Sequence, residues 1–290
     1  MRSNFSRSSQ SAFSLLETLA ATAIAVGIGA VAFQLFHQNE RLFRDQALIL
    51  EMQQSARVIV SQFADDVRMA GQAVPPGLNE VILPGSGTTR LNVRASFSAT
   101  ESVVVSPLPL PVATGMDLTV FVESTTGFSK GRQAFLWADS SWSRGTINSV
   151  SAAAQSVSLT LSTVSGSPLE FSVSPVISLD EAVSLYWDSA TKALRRTTAT
   201  STKNPSSPAW APANELATNV VALNLRYFDQ DGVLVIPDTL EHRSQVASIE
   251  IRVVVRASAP LSDGSRPVYA LSMHAVPRNL QLREIYFTAQ

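Results

Sequence analysis

A long apolar run near the amino terminus constrains this 290-residue chain more than any other feature. From Phe13 to Phe36 the only formally charged residue is Glu17. A helix rises about 1.5 Å per residue, so this run is roughly 36 Å long as a helix and exceeds the about 30 Å hydrocarbon core of a bilayer. Residues 13–36 are therefore predicted to form a membrane-spanning helix.

The residues that flank the run predict its orientation. Residues 1–12 are polar and contain Arg2 and Arg7 but no acidic residue, whereas mixed charges follow the run between His37 and Asp45. An excess of basic residues is typical of the cytoplasmic end of a span. We therefore expect a single-pass membrane protein with a cytoplasmic amino terminus and with the rest of the chain on the outer side of the membrane.

Two simpler interpretations of the run remain open. A secretory signal would be removed after the small-residue triplet Ala30, Val31, Ala32, although a usual signal core has only about 7–15 apolar residues. Alternatively, the run would be an uncut single-span membrane anchor, for which a hydrophobic sequence is sufficient. Neither explains Glu17, because an acidic side chain at the bilayer centre costs on the order of 2.5–3.5 kcal/mol on insertion scales and normally has a partner.

A cationic chain end would be such a partner for Glu17. Residues 13–36 contain no Lys or Arg, but cleavage between Ala12 and Phe13 would give Phe13 a free α-amino group four residues before Glu17. The carboxylate would then meet an amino terminus on its own helix or on a neighbouring one. Glu17 is therefore predicted to be a docking group between subunits.

The segment Ala12, Phe13, Ser14, Leu15, Leu16, Glu17 resembles the cleavage and methylation motif of type IV prepilins. In that family a small residue, usually Gly, precedes Phe, Ser or Thr, Leu, an aliphatic residue and Glu. This chain departs from the pattern by having Ala12 at the Gly position. The resemblance implies a leader peptide of residues 1–12, cleavage after Ala12 by a prepilin peptidase, N-methylation of Phe13, and neutralisation of an adjacent subunit's amino terminus by Glu17.

Small residues recur every four positions within the predicted span. Ala21, Ala25 and Gly29 form one row, and Ala23 and Gly27 form another. Such rows let helices approach closely in lipid. They predict helix packing along Ala21, Ala25 and Gly29, although Ala and Gly also serve simply to fill an apolar segment.

The helix is expected to continue beyond the membrane. Residues 30–70 contain neither Gly nor Pro, and apolar side chains recur along them at steps of three or four. These side chains are Leu48, Met52, Ala56, Ile59, Phe63, Val67 and Ala70. Gly71 is placed for a carboxy-terminal cap, and Pro75 and Pro76 prevent resumption. Residues 37–71 are therefore predicted to be the amphipathic half of one long helix.

Residues 72–290 are predicted to form a β-rich head. Two runs alternate apolar and more polar residues, at positions 221–227 with Val221, Leu223, Leu225 and Tyr227, and at 249–255. Turns are expected at 188–192 and 229–232. Residues 107–175 are predicted to be an inserted small β module, and 197–212 an irregular surface loop.

These elements together predict an α+β, pilin-like fold. Half-solvated sheets need a cover on their apolar face, and the stripe between Leu48 and Ala70 supplies one. The expected architecture is one long amino-terminal helix, with a transmembrane first half, packed on the antiparallel β-sheet of the head.

The head extends the resemblance. Four further features are similar to PilW-type minor pilins and to J-type pseudopilins of type II secretion. They are the helix ending in residues 65–71, a Tyr-Trp hairpin that ends in Arg195 and Arg196, the strand containing residues 226–228, and the segment Arg278, Asn279, Leu280. The likeness covers the first 71 residues and about the last hundred, but not the insert. It implies a minor pilin that primes or joins a type IV pilus. Its implied partners are other pilins or pseudopilins, the prepilin peptidase and, before assembly, inner-membrane lipid.

The sequence does not favour catalysis. His37, His242 and His274 are far apart, and no phosphate-binding glycine loop, nucleophile elbow or HExxH pattern is present. The turn at 229–232 would hold calcium only if further oxygens converged there. Because the net charge is −1 and cysteine is absent, we expect no nucleic-acid partner and no disulfide scaffold. Because no catalytic or metal-binding pattern is present, we also expect no enzyme activity, cofactor or metal.

Two alternatives to a minor pilin stay open at this point. One is a J-type pseudopilin of type II secretion, which the sequence separates poorly from a minor pilin. The other is a single-span envelope protein whose head binds a ligand, for which an exposed Trp142 or Trp210 would be a candidate contact.

Overall fold

The structure, a computed structural model, describes most of the chain. The described residues are 15–76, 78, 80–108, 111–139, 141–165, 171, 174–204 and 206–277. Ala12 and Phe13, which were predicted as the cleavage and methylation site, lie outside them, as do Arg278, Asn279 and Leu280. The described chain divides into two compact units, one within Met1–Leu50 and Ala259–Pro267 and one within Glu51–Ser258 and Val268–Gln290.

One long helix dominates the amino-terminal part of the chain. Helix α1 spans Leu15–Met69 without interruption, as the absence of proline from residues 13–74 and of glycine from residues 30–70 predicts. The predicted continuation of one helix beyond the apolar run is confirmed. The helix ends where Gly71 takes a positive φ of 81° and donates its backbone N–H to the Arg94 carbonyl at 2.8 Å.

In the first unit, a loop contacts α1 just beyond the apolar run. Within Ala259–Pro267 the turn is closed by the Gly264 N–H, which donates to the Leu261 carbonyl at 2.9 Å. The Ser262 backbone N–H donates to both oxygens of the Asp45 carboxylate, at 3.0 and 3.2 Å, and its hydroxyl donates to the same group. Asp45 therefore fixes this loop against the helix.

In the second unit, the predicted apolar stripe of α1 is buried. Met52, Ala56, Ile59, Phe63, Val67 and Ala70 all lie in one hydrophobic core with strands of the head. The end of the helix is also fixed by charge, because Arg196 makes a two-pronged contact with Asp66 at 2.9 and 3.1 Å. The predicted packing of this stripe on the head is confirmed from Met52 onward, whereas Leu48, its first predicted residue, is only half-buried.

The head contains fifteen strands within the described residues. They are β1 Arg90–Ala95, β2 Glu101–Val103, β3 Asp117–Phe121, β4 Gln133–Ala138, β5 Ser141–Ser151, β6 Ser156–Val164, β7 Val176–Leu179, β8 Glu181–Asp188, β9 Ala193–Ser201, β10 Ala209–Trp210, β11 Asn214–Ala217, β12 Val220–Phe228, β13 Leu234–Val235, β14 Ser248–Arg256 and β15 Val268–Ala275. A short helix, α2, spans Leu240–Gln245.

The strands form three antiparallel sheets. The five-stranded sheet has the order β1-β8-β9-β10, with β11 also paired to β9, and the four-stranded sheet has the order β13-β12-β14-β15. The six-stranded sheet has the order β2-β7-β4-β5-β6-β3. An α+β architecture with one long amino-terminal helix and antiparallel sheets is therefore confirmed.

The six-stranded sheet closes into a small barrel. Val104 bridges to Val122, the Val105 N–H donates to the Phe121 carbonyl at 2.8 Å, and the Glu123 N–H donates to the Val103 carbonyl at 3.1 Å. These bonds join the two edges, β2 and β3, around a separate apolar core. The barrel runs from β2 to β7, so it includes strands on both sides of residues 107–175.

Most of the predicted alternation in the strands is confirmed, with one correction. Leu223, Leu225 and Tyr227 are buried, as are the four apolar residues predicted for 249–255. Val221 is only half-buried and Val220 takes its place in the core, because the register with β14 shifts between Val220 and Ala222. The extra residue of such a bulge reverses the facing of the side chains on one side of it.

The turns were predicted better than the loop. The β8–β9 hairpin and the turn at 229–232 are both present, and the latter is closed by the Asp229 N–H, which donates to the Val233 carbonyl at 3.0 Å. The prediction of an irregular loop over 197–212 was wrong in part, since β9 extends to Ser201 and β10 pairs with it. Buried Thr197 and Thr202 use their hydroxyls there, donating to the carbonyls of Ala211 and Asp180.

Gly145 provides a test of the barrel's packing. A Cβ atom at this position would lie 2.6 Å from the Thr160 carbonyl oxygen, in the register shift between β5 and β6. Because that neighbour is backbone, we expect Gly145→Ala to lower the free energy of unfolding by about 1–3 kcal/mol in chemical denaturation. Gly87→Ala is the control, since a Cβ there would meet nothing within 4 Å, and an equal loss in both variants would contradict the explanation.

Candidate functional site

The candidate docking residues lie on the first turns of α1. Glu17 is in the first described turn of the helix, and Ala21, Ala25 and Gly29 follow it at intervals of four residues along an exposed row. A Cβ atom added to Gly29 would meet nothing within 4 Å. Within the described part of the chain, therefore, no contact explains why this row carries small residues.

Large apolar side chains are exposed around the same part of the helix. Leu19, Ile24, Phe33 and Phe36 are each about two-thirds exposed. By length and composition, the helix can cross a membrane. An apolar surface of this extent is stable in lipid or among other apolar helices, but not in water.

The hydroxyl groups in this region bond within the helix. The Thr18 hydroxyl donates to the Leu15 carbonyl at 2.9 Å and the Thr22 hydroxyl donates to the Thr18 carbonyl at 2.7 Å. Such bonds satisfy the donors without water, which is required inside a hydrocarbon core. Since Phe13 lies outside the described residues, its pairing with Glu17 stays a prediction.

The other residues singled out in the sequence do not converge on one site. His37 lies near Glu40 at 3.4 Å and His274 is exposed on β15. An Asp229 side-chain oxygen accepts the Val233 N–H at 2.7 Å, as in an ordinary turn. Across the residues that the structure describes, there is no group of three or more His, Cys, Asp or Glu residues arranged to hold a metal.

The two candidate tryptophans are half-buried rather than exposed. Trp142 lies with its ring edge-on to Phe135, at 6.2 Å between ring centres, and packs against the main core. Trp210 is on the short strand β10. Neither side chain stands free as a surface aromatic.

A buried ionic network was not predicted from the sequence. Arg94 and Asp180 are 1% and 0% exposed and lie 3.0 Å apart, Nε to Oδ1. Arg144 reaches the other Asp180 oxygen at 2.7 Å and also donates to the Thr202 carbonyl. Asp180 sits between β7 and β8, where the chain leaves the barrel, so the network joins the barrel to the five-stranded sheet.

Two further contacts involve the arginines of this network. The Arg94 guanidinium reaches the Glu80 carboxylate at 3.1 Å, which balances the charges of two arginines with two acids. The Phe135 ring lies 5.9 Å from the guanidinium carbon of both Arg94 and Arg144. The contacts of Arg94, Arg144 and Asp180 are buried, although Arg94 Nε, Arg94 Nη2 and Asp180 Oδ1 make no hydrogen bond within the described residues. Each charge therefore depends on its ion-pair partners, and removal of one partner leaves an uncompensated buried charge.

The exposed pair Asp238 and His242 at the start of α2 titrates in a predictable direction. The side-chain hydrogen bond between Asp238 Oδ1 and His242 Nδ1, at 2.7 Å, raises the pKa of His242 and lowers the pKa of Asp238. The contribution of charged His242 to stability is fully present below its unfolded-state pKa and is lost as the pH rises through its folded-state pKa. The contribution of Asp238 to stability is present above its unfolded-state pKa and is lost as the pH falls through its folded-state pKa. The pair is therefore complete in mildly acidic solution.

We expect Asp238→Asn to lower the pKa of His242. Proton NMR titration of the His242 ring measures this shift directly. Asp231→Asn, in the preceding turn, is the control for a general loss of negative charge. Equal shifts in both variants would show that the hydrogen bond is not the cause.

Comparison with protein-family models, curated proteins and solved structures finds no significant match for this chain. The class of protein is therefore defined by the architecture alone. It is a chain with one amino-terminal helix able to cross a membrane and a head of antiparallel β-sheets.

Proposed function

We propose that this chain is a minor pilin, a structural subunit that primes or joins a type IV pilus. The precursor is held in the inner membrane by residues 13–36, with the leader in the cytoplasm and the head in the periplasm. Prepilin peptidase cuts between Ala12 and Phe13, and Phe13 is N-methylated. The mature subunit then enters the filament, and its partners are other pilins.

The continuity of α1 is the chief support for this proposal. A single helix carries an exposed apolar half and, without a break, a half that is buried under the head. A secreted enzyme or binding protein with a removable signal has no need to extend that signal into its own core. A filament subunit does need such a continuous helix, because the end that packs in the filament must be joined rigidly to the head that the filament displays.

The energetics of assembly fit the composition of the helix. The interior of a bundle of such helices is as apolar as lipid, so a subunit that moves laterally into it loses little hydrophobic stabilisation. The specificity must come from polar pairing and close contact instead. Glu17 supplies the first through an amino terminus, and the row Ala21, Ala25, Gly29 supplies the second.

Mass spectrometry of the mature protein tests the proposal. We expect the chain purified from native membranes or filaments to begin at Phe13 and to carry one methyl group on its α-amine. A chain that begins at Met1 would identify an uncut anchor, and one that begins at Phe33 would identify a secreted product. Either result would overturn the proposal.

A further inference from the structure

The outer face of the four-stranded sheet, opposite its core side, carries a distinct set of side chains. In β12 and β14 the residues that alternate with the buried ones pair across the strands, Asn224 with Arg252 and Arg226 with Glu250. On β15, Ser272 and His274 continue these two rows. We name this surface the outer face.

A shallow cleft on the outer face is cationic. It has a volume of about 360 Å³ and is lined by Ala222, Asn224, Arg226, Glu250, Arg252 and Val254. The Glu250 side chain is only 19% exposed and is engaged by Arg226 at 3.4 Å. Arg252 is exposed and makes no ion pair within the described part of the chain. The cleft therefore presents one uncompensated guanidinium beside the Asn224 amide.

An apolar corner adjoins this cleft at the edge strand β13. Leu234 pairs with Phe228, and Leu234 and Ile236 are 53% and 68% exposed. Val233 and Leu240 are also about half exposed. Large aliphatic side chains concentrated in so short a segment mark an interaction surface more often than chance exposure does.

We propose that the outer face binds an extended segment of a partner protein that carries a large aliphatic side chain and an acidic one about four or five residues apart. Neighbouring strands lie about 4.8 Å apart, so β13 and β14 are separated by roughly 10 Å across the sheet. Leu234 lies opposite Phe228 and Arg252 lies opposite Asn224, four residues further along β12, which adds about 13 Å along the strands. The apolar corner and Arg252 are therefore roughly 14–16 Å apart, which four to five residues of extended chain span. The aliphatic side chain covers Leu234 and Ile236, and the carboxylate meets Arg252.

The charges around the apolar corner set the direction of the segment. Asp229 and Asp231 lie in the turn before β13, and Asp238 and Glu241 follow it together with His242 and Arg243, so acids outnumber bases around the corner. These acids repel a carboxylate at the apolar end, so the acid of the partner must lie over the cleft. They equally disfavour an anionic membrane or a polyanion, which would bring negative charge to both ends. This proposal concerns the head alone and is independent of how the helix assembles.

A peptide selection on the full chain in detergent micelles tests the proposal. We expect a random twelve-residue display library to yield sequences with Asp or Glu three to six positions from Leu, Ile, Val or Phe. A synthetic peptide of the enriched sequence is then measured by fluorescence anisotropy. Arg252→Glu and Leu234→Ser should each weaken its binding by about tenfold or more, since they remove the charge and the apolar contact.

Matched variants and competitors make the result decisive. Lys130→Glu makes the same change of charge on an exposed turn of the barrel and should leave the peptide affinity within about twofold. Enriched sequences without acids, or equal losses in Arg252→Glu and Lys130→Glu, would overturn the proposal. So would tighter binding of heparin or of anionic phosphatidylglycerol vesicles than of the peptide. Self-association abolished by Arg252→Glu would replace the proposed partner with a second copy of this chain.

Discussion

Replacing Asp180 by Ala is expected to lower the free energy of unfolding by about 3–5 kcal/mol. Asp180 is fully buried and contacts the guanidinium groups of both Arg94 and Arg144. Removing the carboxylate leaves two buried cations with only the partly exposed Glu80 to balance them. Chemical denaturation of the full chain in nonionic detergent, followed by tryptophan fluorescence, measures the loss.

Two further variants assign the loss to charge burial. Asp180→Asn keeps the shape of the side chain but not its charge, so it should also be strongly destabilising. Asp65→Ala removes an acid from the exposed pair with Arg68, whose atoms lie 2.8 Å apart, and should change stability by less than about 1 kcal/mol. If Asp180→Ala were as mild as Asp65→Ala, the network would not hold the barrel and the five-stranded sheet together.

The features that the sequence predicted are those with a short period. Buried residues at steps of three or four from Met52 to Ala70 require only one helix, and alternation from Leu223 to Tyr227 requires only one strand. Both patterns can be recognised from the order of residues within one short segment. For that reason α1, the hairpin and the facing of most side chains on β12 and β14 were predictable.

The features that the sequence did not reveal depend on distant partners. Barrel closure pairs Val104 with Val122. The residues around each valine do not indicate which distant strand will be its partner. Arg94, Arg144 and Asp180 look like surface residues in a sequence, because charged side chains are rarely buried unless paired. Only the tertiary contact shows that they are paired. The docking role proposed for Glu17 rests on its isolation in an apolar run, since the cost of placing an acid there follows from the sequence without a structure.

Replacing Glu17 by Ala is expected to reduce incorporation of the subunit into filaments by at least about tenfold. In an apolar helix bundle, a carboxylate and an amino terminus attract each other far more strongly than in water. Without the acid, the cationic terminus of a neighbouring subunit is left without compensation in a low-dielectric interior. Immunoblotting of sheared filaments against the membrane fraction measures the ratio of assembled to stored subunit.

The comparison needs two controls to isolate docking from processing. Glu40→Ala removes an acid from the same helix just beyond the apolar run, where the side chain is 66% exposed, and should leave incorporation within about twofold. The mature Glu17→Ala chain must also begin at Phe13, so that a failure of cleavage does not mimic a failure of assembly. If a correctly cut Glu17→Ala subunit entered filaments as well as Glu40→Ala, the acid would have no role in docking. Close packing along Ala21, Ala25 and Gly29 would then have to supply the specificity of assembly by itself.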